Sequence, residues 1–166
     1  MQQFFLPIWK RRRASAGFTL IEVLIVTSVI GILATIASLG GNTYREKAKI
    51  ARTQAEIDRI HKAIVLLEAD TGLWPGHQRP GVSTSGSNEV WNLAAASAGL
   101  LRTDGGYPNW NGPYLTSLPK DPWGMDYFLD TDYRVNGVNR AALGSFGPNK
   151  VGQNMYDSDD VIKVIN

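Results

Sequence analysis

The segment FTLIEVLIVTSVIGILATIASL, residues 18–39, carries one charge, Glu22, in 22 residues. Ile, Val, Leu and Ala dominate it, and Gly31 is its only helix-weakening residue. A helix of that length spans roughly 33 Å, the thickness of a bilayer core. Buried core helices rarely run so far without polar residues, so a membrane-spanning reading is preferred. Lys10, Arg11, Arg12 and Arg13 stand just before it, with no acid among residues 1–17. Such a basic cluster stays cytoplasmic, which sends the C-terminal bulk to the opposite side. A secretory signal is cut after its apolar stretch, and Ser38-Leu39-Gly40-Gly41 offers such a place. The small residues Ala14-Ser15-Ala16-Gly17, however, precede the stretch.

Glu22 needs a partner, because an acid deep in hydrocarbon costs about 2.5–3.5 kcal/mol. One reading lets it lie about one turn from the surface and snorkel outward. The other brings in a free amine. A cut between Gly17 and Phe18 makes Phe18 a new N-terminus, whose ammonium group on one subunit pairs with Glu22 of a neighbour. Assembly then offsets the burial of the charge.

Gly17-Phe18-Thr19-Leu20-Ile21-Glu22-Val23 resembles the prepilin cleavage motif of type IV pilins and type II secretion pseudopilins. The resemblance implies cleavage by a prepilin peptidase on the cytoplasmic face, N-methylation of Phe18, and retention of the apolar helix in a filament core. The leader, residues 1–17, is longer than the family's usual short basic leaders. It also accounts for the charge balance. The formal net charge of +2 comes from 17 Lys+Arg against 15 Asp+Glu, and the four bases of the leader exceed that excess. The 149 residues from Phe18 onward carry 13 bases against 15 acids, so a nucleic-acid-binding surface is not expected. Cysteine is absent, which excludes disulfide scaffolds, Cys-ligated metals and thiol catalysis.

Beyond the apolar stretch, residues 42–70 contain no Gly or Pro, so the helix can continue. Ile50, Ile57, Ile60, Ile64 and Leu67, with Ala63, fall on one face of an amphipathic stem. Arg52–Glu56 and Asp58–Lys62 stand at i,i+4 spacing. Asp70-Thr71-Gly72, followed by Pro75, predicts the stop, with Gly72 left-handed. Gly40-Gly41 marks a bend between the membrane half, 18–41, and the stem half, 42–70. The whole helix would be roughly 80 Å long. Sustained heptads are missing, so the stripe is expected to receive a small sheet from the same chain rather than a coiled-coil partner.

Residues 71–166 form the head. The spacing predicts a short helix over Glu89–Ala98 and strands over Met125–Asp130, Arg140–Phe146 and Val161–Ile165, a modest antiparallel sheet. Gly112-Pro113-Tyr114-Leu115, then Leu118-Pro119-Lys120-Asp121-Pro122-Trp123-Gly124 and Tyr127, resembles the head signature of the major, G-type pseudopilins. Trp123 is placed to wedge this turn against the stem.

Asp157, Asp159 and Asp160 repel one another unless solvated, protonated or neutralised by a cation. A ligand set of oxygen alone points to calcium, and the spacing is not that of an EF-hand. A solvated acidic turn is the alternative. The resemblance implies a calcium loop with backbone carbonyls after the Ser145-Phe146-Gly147 turn, an acid where Asn149 stands here, and later acids matched by Asp159 and Asp160. Asn149 brings an oxygen without a charge.

No phosphate-binding loop, nucleophile elbow or metalloprotease helix occurs, and His61 and His77 are the only histidines, so an enzyme is not expected. The expected fold is α+β and pilin-like. The resemblance implies a pseudopilus subunit of a type II secretion system, anchored in the inner membrane with its head in the periplasm, and polymerising with copies of itself. Implied partners are minor pseudopilins, the prepilin peptidase, an inner-membrane assembly platform and, before assembly, lipid. A related type IV pilus or competence filament is the nearest alternative, and a monomeric signal-anchored calcium-binding module a more distant one.

Overall fold

The computed structural model describes residues 17–82, 86 and 89–165, with backbone alone at 37–42. Of the expected leader only Gly17 falls within that range. By internal packing the chain divides into two units, Met1–Asn42 and Thr43–Asn166. One helix, α1 (Leu20–Thr71), carries residues of both. Gly40 and Gly41, the expected bend, lie within its helical residues.

In the first unit every described side chain from Gly17 to Ile36 is exposed. The hydroxyls among them satisfy themselves. Thr27 donates to the Val23 carbonyl at 3.0 Å, Ser28 to Leu24 at 2.7 Å and Thr35 to Gly31 at 2.8 Å. A helix whose polar groups are paired internally can face an apolar medium. Among the described residues no helix is long and apolar enough to cross a membrane. The end of the expected span, residues 37–39, lies outside the residues with described side chains.

In the second unit the stem buries one face. Thr53, Ile57, Ile60, Ala63, Ile64, Leu67 and Thr71 are all buried, at spacings that keep them on a single side of α1. Ile50 is partly buried at the edge of the same core. The helix ends as expected, with Gly72 at φ 71° and its N–H bonded to the Glu68 carbonyl at 2.7 Å. The ion pairs differ from expectation. Glu56 pairs with Arg59 at i,i+3 on the same helix, and Asp58 pairs with Lys163 from the last strand at 2.6 Å, a tertiary partner nearer than Lys62.

The head sheet has three antiparallel strands in the order β1 (Phe128–Val135), β2 (Val138–Ser145), β3 (Val161–Val164). β1 runs further than the expected Asp130, since Asn136-Gly137 at φ 51° and 80° closes a two-residue hairpin. That turn needs positive φ at both positions, which Asn and Gly accept at least cost. A bulge between Asp130 and Tyr133 shifts the register from Asp130↔Ala142 to Tyr133↔Arg140.

Both faces of the sheet are covered. Leu129 and Leu143 point into the core with the stem stripe, Leu93, Leu100 and Trp74. The alternate residues Phe128, Ala142 and Tyr133 face outward under Phe146, Trp91 and Tyr156. The helix expected over Glu89–Ala98 is not formed, and only Ala96–Ala98 make a 3-10 turn. Tertiary pairing overrides local propensity here: Val90 exchanges both backbone hydrogen bonds with Leu129, at 2.8 and 2.9 Å, and Leu93 donates to the Tyr127 carbonyl. The segment is extended because it borders β1.

Ile60 is wholly inaccessible at the centre of this core. Ile60→Ala should cost about 2–5 kcal/mol, measured as a lower urea midpoint with an unchanged slope. Ala69→Ser, on the exposed side of the same helix, should shift stability by less than about 0.5 kcal/mol.

Candidate assembly segment and C-terminal loop

The start of α1 shows how Glu22 is accommodated within one chain. Thr19 donates to Glu22 Oε2 through both its N–H and its hydroxyl, each at 2.8 Å, and the Glu22 N–H returns to Thr19 Oγ1 at 3.3 Å. This is a capping box, in which N-cap and third-residue side chains satisfy each other's backbone donors. Thr19-x-x-Glu22 before an apolar run is its sequence signature, and it supplies a local partner that neither the snorkelling nor the ammonium reading included. Phe18, next to it, is 88% exposed, so nothing covers the residue that follows the expected cut.

The head is fixed to the stem by polar contacts that flank the apolar stripe. The Trp123 indole donates to Glu46 at 3.1 Å, the Trp74 indole to Glu68 at 2.7 Å and the Tyr114 hydroxyl to Asp70 at 2.8 Å. Trp123 thus does wedge its turn against the stem. Behind it lies Asp121, buried, with Oδ1 accepting from the N–H groups of Trp123 at 3.0 Å and Met125 at 2.8 Å. Its Oδ2 accepts from the hydroxyl of Ser145. One carboxylate therefore ties the Pro119–Gly124 turn to the end of β2.

The expected calcium residues are placed as follows. Ser145 is buried and its hydroxyl is committed to Asp121. Asn149, Asp157 and Asp159 come together: the Asn149 amide donates to Asp157 Oδ2 at 2.8 Å, and Asp157 Oδ1 accepts the Asp159 N–H at 2.9 Å. Asp160 turns inward, its Oδ2 accepting from the Tyr133 hydroxyl, while Oδ1 is buried without a partner. Burial pushes its carboxyl above the ordinary range against the pull of that hydrogen bond. Gly147 packs so closely on the Asp159 carbonyl that a Cβ there would lie 1.9 Å from the oxygen. The two ends of the loop are thus pressed together, and the loop covers the outer sheet face through Phe146, stacked on Phe128 at 4.6 Å, and Tyr156, against Tyr133 at 4.7 Å. Asn149 and Asp157 thus meet beside the Asp159 backbone, while Ser145 and Asp160 are engaged by Asp121 and Tyr133.

A long N-terminal helix with an exposed apolar first part, and a small antiparallel sheet on its second part, define a pilin-like subunit. Residues 12–38 match the prokaryotic N-terminal methylation motif, and residues 93–163 match the type II secretion system protein G model. The chain is 30% identical over 153 residues to the type II secretion system core protein G of Pseudomonas aeruginosa, covering 90% of this chain and 95% of that one. It is 31% identical to the core protein G of Aeromonas hydrophila, covering 82% and 87% respectively. The crystal structure of the major pseudopilin from the type 2 secretion system of enterohaemorrhagic Escherichia coli aligns at a TM-score of 0.49 and 21% identity, over 75% of this chain and 87% of that one. The chain belongs to the type II secretion system core protein G family.

Removing the Asp121 carboxylate strands three donors, two of them in buried hydrogen bonds. Asp121→Ala should cost about 3 kcal/mol, read by chemical denaturation. Asp126→Ala, whose ion pair among the described residues is a 3.6 Å contact with Lys120, should cost less than about 1 kcal/mol.

Proposed function

We propose that this chain is a structural subunit of the pseudopilus of a type II protein secretion system, polymerising through the first part of α1 to support export of folded proteins. The observation that carries the reading is the contrast along that helix. The stem stripe is filled by the chain's own head, while the apolar side chains from Phe18 to Ile36 are left without cover. An apolar surface of that extent requires lipid or other copies of the helix. The methylation motif and the near full-length relatives named core protein G support the same conclusion.

In this reading the precursor waits in the inner membrane with its leader cytoplasmic and its head periplasmic. A prepilin peptidase cuts before Phe18, and the new amino group is methylated. The subunit then leaves lipid for the filament. Both environments are apolar, so helix packing and the few polar contacts set the register rather than hydrophobic transfer. Cleavage leaves Thr19 as the second residue, so the capping box survives and Glu22 stays helical. Pairing with a neighbour's Phe18 ammonium then adds to the cap. Calcium would be held by Asn149, Asp157, Asp159 and Asp160, neutralising their repulsion and fixing the loop that covers the outer face of the sheet. The role is structural, and no residue is assigned to catalysis.

N-terminal sequencing of the membrane-extracted protein should read from a methylated Phe18, and a chain that retains Met1 would sink the proposal. Glu22→Gln separates the two tasks of this residue, since Gln keeps a capping box but carries no charge. Ammonium pairing predicts that Glu22→Gln and Glu22→Ala both insert into membrane and both fail to form filaments. Filaments from the Gln variant alone would reduce Glu22 to a cap. For the loop, calcium in excess over chelator should raise the melting temperature, with Asp157→Asn reducing the rise; a rise of the parent's size in Asp157→Asn would remove the loop site.

A further inference from the structure

A second acidic group lies outside the C-terminal loop. Carboxylate oxygens of Glu89, Asp130 and Asp132 all lie within 4.8 Å of one another. Asp130 is completely inaccessible, and Glu89 and Asp132 are only partly exposed. The arrangement is built by the fold. Asp130 and Asp132 stand on either side of the β1 bulge, where the Asp132 N–H turns back to Asp130 Oδ1 at 2.9 Å. Bulges commonly re-aim side chains in this way. Glu89 is delivered from the opposite direction, because the neighbouring Val90 is bridged to Leu129.

The polar accounting of this group does not close. Asp130 Oδ2 and Asp132 Oδ1 are both shut off from solvent and have no hydrogen-bond partner. Among the described residues no Lys, Arg or His forms an ion pair with any of the three acids. Buried carboxylate oxygens without donors are rare in folded proteins, since each forfeits its hydration for nothing. Two of them beside a third carboxylate would drive the segment apart unless positive charge sits between them.

We propose that Glu89, Asp130 and Asp132 form a cation site, with calcium as its ligand, separate from the C-terminal loop. The donors are all oxygen, which selects a hard cation over zinc or copper. Calcium is favoured over magnesium because it accepts irregular carboxylate geometry, whereas magnesium demands a near-ideal octahedron and dehydrates reluctantly. The ion fastens the extended segment at Glu89 to β1. Neither the methylation motif nor the acids of residues 157–160 enter this site.

Calorimetric titration of calcium chloride into the full-length, chelator-stripped chain in detergent micelles tests the assignment. The panel is the parent chain, Glu89→Gln, Asp132→Asn, and a loop variant with Asp157→Asn and Asp159→Asn together. The two single variants alter partly exposed residues, and circular dichroism confirms that each is folded. The expected result is a calcium-binding event that persists in the loop variant and is weakened at least tenfold by either Glu89→Gln or Asp132→Asn. Parent-like binding in both single variants overturns the site, as does loss of all binding in the loop variant. Absence of calcium binding to the parent also overturns it, leaving a proton shared between Asp130 and Asp132 as the neutralising charge. A loop variant with the parent's full stoichiometry removes the C-terminal site and leaves this one standing.

Discussion

Burial of the stem stripe against the sheet is the interaction on which the head depends. Ile57, Ile60, Ile64 and Leu67 are the centre of the main core, and Leu129 and Leu143 reach them from β1 and β2. A small sheet with an apolar face needs cover for that face, because exposed it would be hydrated apolar surface. Here α1 shields that face, and the polar contacts of Glu46, Asp58, Glu68 and Asp70 fix the lateral position of the head. The order of contributions follows from the physics. The stripe supplies the free energy, while the exposed hydrogen bonds and ion pairs supply direction at little net gain.

Among the described residues the outer sheet face is covered by loops and not by a helix. Phe146 and Tyr156 from the C-terminal loop, with Trp91 from the segment beside β1, pack on Phe128 and Tyr133. This gives the acidic residues of the loop a structural setting. Asp160 is drawn in by Tyr133, and Gly147 allows the loop ends to touch, so any charge neutralisation at Asp157, Asp159 and Asp160 bears directly on how the outer face is closed. The two acidic groups flank the same aromatic layer, one at Asp160 and the other at Asp130.

Along α1 two rules of burial operate in one helix. Residues 50–71 follow an amphipathic pattern that a single chain can satisfy. Residues 18–36 are apolar all round, a pattern that a single chain of this size cannot bury. Family membership in the core protein G group gives that second pattern its purpose, since a subunit that assembles leaves its contact surface open until neighbours arrive. Glu22 is capped by Thr19, a contact that is local and needs no neighbour.

The sequence by itself determined the helix and its two faces, because 3.6-residue periodicity and an unbroken apolar run depend only on neighbours in the chain. It also determined the N-terminal methylation motif, the stop at Gly72 and the placement of Trp123 against the stem. The capping box Thr19-x-x-Glu22 and the hairpin turn Asn136-Gly137 were equally legible, as both are local signals of known geometry. Tertiary structure alone decided the rest. Residues 89–98 have the composition of a helix, yet the edge of β1 offered Val90 backbone partners that no local pattern encodes. Asp58 took Lys163 instead of Lys62 for the same reason: its partner lies 105 residues away and reaches it only once β3 has docked. The meeting of Glu89 with Asp130 and Asp132 is likewise a product of strand pairing and a bulge, and sequence distance gives no hint of it.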